Sequence, residues 1–217
     1  MPVPRGLVTF AFLFVAAAFA ATVGLRVPIQ PTSTSYTPGV RAFLELLAVG
    51  GCATWPVGRL ALSPHGWRPA RVLLDLVALV AIVQAVLWPL QLVTYWPPAR
   101  GAAIDALLVG WIAACGGAVA CGMHAHGWRR TAWAIACIAV VAAGPVADAL
   151  GAPAPVPALL GPCSALLDVA PLHPGMPGPH DWPVIAWPWI LACAAWAAAL
   201  RAARPVHAGL AHDPGIR

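Results

Sequence analysis

The sequence predicts an all-α fold: a polytopic membrane helical bundle of six transmembrane helices, forming a single integral membrane domain over residues 1–217. Three observations carry this. First, hydrophobic residues make up 61% of the chain and charged residues only 9%. A soluble domain carries about 25% charged residues, so this chain has too little polar surface to be held in water. Second, six apolar runs lie at residues 7–25, 42–62, 72–96, 102–123, 131–150 and 184–203. Each meets or nearly meets the roughly 20 helical residues needed to cross a hydrocarbon layer of about 30 Å. They lack the alternation of barrel strands, which leaves helices as the way to satisfy the backbone in lipid. Third, the chain has twelve arginines and no lysine. With six crossings, one side receives Arg5, Arg59, Arg68, Arg71, Arg129, Arg130, Arg201, Arg204 and Arg217, and the other only Arg26, Arg41 and Arg100. The positive-inside rule then places both termini in the cytoplasm of a multi-pass protein of the cell (inner) membrane.

Helix one follows Arg5. Its apolar run and Ala18-Phe19-Ala20 resemble a signal peptide, but apolar character continues to Leu25, long enough to span. Residues 26–40, rich in Pro, Ser and Thr, predict an irregular external loop. Helix two contains Trp55-Pro56, with Glu45 four residues after Arg41, a spacing for pairing on one helix face. The internal loop around His65, Trp67 and Arg68 is short and stiffened by prolines. Helix three opens with Arg71 and Asp75, again four apart, and ends in Tyr95-Trp96-Pro97-Pro98, an interfacial aromatic anchor followed by a stop. Helix four carries Ala113, Gly117 and Cys121 at four-residue spacing, a face of small residues that lets helices approach closely in lipid. Helix five closes near Gly144-Pro145 and Asp148. The external region 152–183 is rich in Pro and Gly, and its mildly apolar stretch 158–170 is too short to cross, which predicts a re-entrant or interfacial helix. Helix six ends at Arg201, before a short cytoplasmic tail, 204–217. Pro56, Pro89, Pro145 and Pro188 predict kinks in four of the helices.

Little in the chain points to chemistry. Ionisable groups inside a membrane are the usual place to look for function. Glu45, Asp75, Asp105 and Asp148 all lie near predicted helix ends, and Arg41, Arg71 and Arg100 stand within five positions of the first three, so pairing at helix ends accounts for them. Gln84 and Gln91 follow Asp75 on helix three at nine and sixteen residues, which places them about 180° and about 160° around the helix from Asp75, so no single polar stripe forms. His124 and His126, with Cys115 and Cys121 upstream, are suitable metal ligands by type. Their spacing matches no standard pattern, and no metal site is assigned. Five of the six cysteines lie in apolar segments, where cysteine acts as a small hydrophobe, and Cys163 has no external partner. The net charge of +5 sits at membrane ends rather than in one basic run, which points to the lipid bilayer and away from nucleic acid. No phosphate-binding loop, nucleophile elbow or paired-histidine zinc motif occurs. The expectation is a chain that is not an enzyme, with no catalytic residue and no cofactor.

The order of parts resembles the membrane permease of ABC-2-type transporters. Residues 117–145, with the His126-Gly127-Trp128-Arg129-Arg130 turn and a helix closing on Gly144-Pro145, are similar to the fourth and fifth helices of that family. The stretch Gly161-Pro162-Cys163-Ser164-Ala165-Leu166-Leu167, followed by Pro171 and a last helix ending in Arg201 and Arg204, is similar to its C-terminal segment. The resemblance implies six helices with cytoplasmic ends and a re-entrant segment at Gly161, Pro162, Ser164 and Leu166. It also implies a separate cytosolic ATPase that meets the loop around His65, Trp67, Arg68 and Arg71. The alternative is a non-catalytic structural or accessory subunit of a membrane complex, packing against other helices through the small-residue face of helix four, with other membrane subunits or a second copy as partners. Asp75, His124 and His126 are the remaining polar candidates.

Overall fold

A computed structural model describes residues 5–24, 33–62, 69–90, 94, 96–172 and 175–203. Among these every regular element is a helix, and six helices are long and apolar enough to cross a membrane. Helix α1 (Arg5–Phe19) runs on into a wider π-helical turn, Ala20–Gly24. The second span is continuous but composite. It comprises α2 (Ser33–Val49), a π turn (Gly50–Thr54) and α3 (Trp55–Leu62). Helices α4 (Pro69–Leu90), α5 (Pro98–His124) and α6 (Trp128–Ala149) follow. Two short helices, α7 (Val156–Leu160) and α8 (Pro162–Val169), precede the last span, α9 (Asp181–Ala202).

Two boundaries differ from the sequence reading. Helix two begins at Ser33 instead of residue 42, so much of the expected 26–40 loop is helix. Its polar start is covered by protein: Thr37 and Val40 are buried, and Gly39 lies so close to the end of α1 that a Cβ there would come within 2.5 Å of the Thr22 carbonyl oxygen. The described part of helix three runs to Leu90, and Trp96 lies outside any helix. Trp96 is buried and donates to the Pro171 carbonyl at 3.0 Å, so it tethers a loop and is not an interfacial anchor.

The break in the second span has a local cause. Pro56 cannot donate a backbone hydrogen bond. Just before it, the Trp55 N–H bonds to Gly50 O, five residues back, and Gly50-Gly51 accept the wider turn. Pro89, Pro145 and Pro188 lie inside α4, α6 and α9, as the sequence reading places them.

Helix α5 is the centre of the bundle, and most of its length is buried. Its partner is α9. The Trp189 indole donates to Ala106 O and the Trp196 indole to Ala113 O, each at 3.0 Å and each across 83 positions. The repeated offset makes α5 and α9 parallel, as two even-numbered spans must be. Glycines permit the approach. A Cβ at Gly117 would come within 2.6 Å of Ala195 Cβ and 3.0 Å of the Trp196 nitrogen. The small-residue face Ala113, Gly117 and Cys121 is therefore filled by α9 of the same chain, with the Cys121 thiol 3.5 Å from Ala195 O. The expectation that this face packs against other helices is met within the chain itself. Gly117→Leu is expected to destabilise the protein by about 1–3 kcal/mol through overpacking, read as a lower thermal midpoint in detergent; an unchanged midpoint would mean that α9 is not held this closely.

Candidate functional site

The six spans present two ends. One carries Arg59, Arg71, Arg129, Arg130 and Arg201 and is here termed the arginine-rich end; the other carries Arg41, Arg100 and the α7–α8 hairpin. The hairpin is built from its prolines. Pro157 and Pro162 sit in the first turns of α7 and α8, where no N–H is needed. Pro162 also holds Gly161 extended (φ −162°, ψ 158°), which separates the two helices. The apex then lodges against α6. A Cβ at Gly161 would overlap the Val140 carbonyl oxygen, and one at Gly144 would come within 2.7 Å of Ser164 Oγ and 2.9 Å of Pro157 O. Val140 lies nine residues before the end of α6, about 14 Å at 1.5 Å per residue. The chain thus dips to the middle of a span of the bundle and returns. Gly161, Pro162, Ser164 and Leu166 are all buried there, and Ser164 Oγ donates to Asp148 Oδ2 at 2.8 Å. Irregular backbone at this depth is tolerated because protein covers it.

The hairpin end is fastened by arginine. The Arg41 guanidinium donates to Leu167 O at 3.2 Å. Arg100 is 6% exposed and reaches Gly175 O (3.0 Å), Val169 O (3.1 Å), Met176 O (2.5 Å) and Asp181 Oδ2 (2.8 Å). Asp181, 1% exposed, also accepts from the Gly178 N–H at 2.8 Å and meets His180 at 3.2 Å. One side chain so joins α5, the end of α8, the following loop and the start of α9. The local pairing of Arg100 with Asp105 is corrected: Asp105 instead accepts from Gln84 at 2.5 Å, and Gln84 accepts from the Trp88 indole. Gln91 lies outside the described residues.

At the arginine-rich end, the pairing of Asp75 with Arg71 is likewise corrected. Asp75 is buried and forms its ion pair with Arg59 of α3 at 2.7 Å, while Arg71 is exposed in the first turn of α4. Helix α3 enters this pair from across the bundle, which spacing along one helix cannot reveal. Arg59 also lines an apolar cavity of about 430 Å³ enclosed by α1, α2 with its π turn, α3, α4 and α5. His65, Trp67 and Arg68 of the expected coupling loop lie outside the described residues, as do Arg204 and Arg217.

His124 ends α5 and His126 follows in the loop to α6; with Cys121, Trp128, Arg129 and Trp133 they line a second cavity of about 600 Å³ at the same end. Among the described residues no group of three or more His, Cys, Asp or Glu side chains is placed to hold a metal ion. Cys115 adjoins Cys52 and Cys137 in the buried centre.

Set against family models, curated proteins and solved structures, the chain matches none. Function must be argued from the arrangement itself. Sequence reasoning found the hairpin through its mildly apolar, Pro-flanked stretch. It missed the Arg100 hub and the cavity, although Gly50-Gly51, with Trp55-Pro56 one turn further on, is a legible signal for a widened helix.

Proposed function

We propose that this chain is a permease-like membrane subunit of the ABC-2 type, the transmembrane part of an exporter whose ATP hydrolysis resides on a separate cytosolic chain. The observation that carries the reading is the hairpin between the fifth and sixth membrane-length helices, with its apex against Val140. A re-entrant segment at that place is what the family resemblance implies. Two features support it further. The second span changes helix type at the Gly50–Thr54 turn, and Pro89, Pro145 and Pro188 each remove a helical hydrogen bond from α4, α6 and α9, which are places where a helix can bend. The Arg59–Asp75 pair ties α3 to α4 on either side of the loop that would meet the ATPase.

In this reading the arginine-rich end faces the cytoplasm of the cell (inner) membrane, with both termini there. His65, Trp67, Arg68 and Arg71 form the coupling surface. Movement of their loop passes through Arg59–Asp75 into the second and third spans. The chain supplies no covalent chemistry; it changes which side of the bundle is open. A cysteine placed at Arg68, carrying a photocrosslinker in native membranes, is expected to capture a cytosolic protein that hydrolyses ATP. Adducts with integral membrane proteins alone, and purification without any nucleotide-binding chain, would overturn the proposal in favour of an accessory subunit.

A further inference from the structure

The cavity beside Arg59 is not explained by packing. Bundle interiors are close-packed, with few voids larger than a water molecule. Here about 430 Å³ stands open, against the roughly 150 Å³ at which an apolar cavity already stays dry and admits benzene. Its walls are Phe10 and Phe14 of α1, Trp55 of α3, and Leu79 and Val83 of α4, with Ile112 of α5 at its floor. Glycines shape it in two ways. At Gly50 and Gly51 the second span comes so near its neighbours that a Cβ would fall 2.5 Å from the Phe14 ring and 2.8 Å from Ile112 Cγ1, which sets the closed end. At Gly6 and Gly58 a Cβ would meet nothing within 4 Å among the described residues, so on that side the missing side chains leave the arginine-rich end open.

The charge at that opening is one-sided. Arg59 lines the cavity and Asp75 does not; the carboxylate is buried behind the guanidinium. An occupant therefore meets the guanidinium side of the Arg59–Asp75 ion pair at the mouth and hydrocarbon beyond it. The lining residues of α1 run from Gly6 to Val15, nine residues apart, about 14 Å of helix. That is about half of a hydrocarbon layer of about 30 Å, the depth of one leaflet.

We infer that this cavity is a lipid site: it holds one acyl chain of an anionic phospholipid from the leaflet at the arginine-rich end, with the phosphate at Arg59. Apolar walls take the chain, the guanidinium takes the headgroup, and the glycines at positions 6 and 58 let the chain in. The inference does not depend on coupling to an ATPase, since occupancy is measured without transport.

Trp55 in the wall provides the readout. The full chain is placed in nanodiscs of phosphatidylcholine containing a minor fraction of phosphatidylglycerol, with bromine on the acyl chains of one lipid or the other. The Trp55 contribution is taken as the difference from Trp55→Phe. Brominated phosphatidylglycerol is expected to quench Trp55 at about one-fifth of the concentration that brominated phosphatidylcholine requires, the preference one arginine near the surface provides. Gly58→Leu, whose side chain grows into open space, is expected to abolish the quenching while the protein melts no lower than the parent. The double variant Arg59→Gln with Asp75→Asn, which keeps the pair neutral, is expected to lose the preference and keep the quenching. Equal quenching in Gly58→Leu would mean that the chain is ordinary surrounding lipid, and would overturn the site. Absence of any preference in the parent would overturn the headgroup assignment. Saturation by a brominated fatty acid but not by the phospholipid would assign the cavity to a free amphiphile instead.

Discussion

Replacing Arg100 with methionine is expected to lower the stability of the bundle by about 3–5 kcal/mol, the usual cost of removing one partner from a buried ion pair. The guanidinium holds three carbonyl oxygens and one carboxylate oxygen at once. Without it, Asp181 keeps its Gly178 contact but stays buried and charged at the start of α9. Chemical unfolding in detergent, followed by tryptophan emission, measures the loss. Arg100→Lys is expected to recover only part of it, because an ammonium is a point charge and cannot reproduce the planar fork. The double change Arg100→Met with Asp181→Leu is expected to recover more, since it also removes the stranded carboxylate. A loss below about 0.5 kcal/mol in the single variant, the range of ordinary surface changes, would show that the hub does not hold the hairpin end together.

The second large effect is expected at Gly161. Its backbone is extended, a conformation open to any residue, so Gly161→Ala acts through contact alone. The methyl group would overlap the carbonyl oxygen of Val140, which is fixed within α6. Overpacking of this kind costs about 1–3 kcal/mol. At about 1.4 kcal/mol per tenfold, the population with the hairpin withdrawn rises roughly five- to a hundredfold. Cys163, two residues on and 7% exposed, is a natural reporter. Its labelling by a membrane-impermeant maleimide, followed by peptide-resolved mass spectrometry, is expected to rise by that factor. Gly58→Ala, where the methyl meets open space, serves as the control. Equal labelling of Cys163 in both variants would mean that the glycine contact does not seat the hairpin.

These features differ in how far the amino-acid order betrays them. Long apolar runs are readable because the thickness of lipid imposes a length, and all six reappear as membrane-length helices. Residues 158–170 were readable as too short to cross, and Pro157 and Pro162 mark where the two hairpin helices start. Partner choice was not readable. Asp75 and Asp105 each have an arginine nearby in sequence, yet Arg59 and Gln84 come to them from other helices. Spacing along one helix reports only neighbours on that helix. The start of helix two failed for a related reason: Ser33 to Thr37 look like loop, and the burial of Thr37 depends on segments distant in sequence. The face of small residues on α5 was seen correctly as a contact surface, but its occupant, α9, lies about eighty positions downstream.

That distance matters during synthesis. At about 5–20 residues per second, the 83 positions between Ala106 and Trp189 take roughly 4–16 s to emerge. Throughout this interval the nascent α5 is left without its principal neighbour, and Arg100 without the carboxylate that will neutralise it. Assembly of this core therefore waits until α9 has been made. A chain cut short before Asp181 would leave the central helix without α9 and the Arg100 guanidinium without its carboxylate.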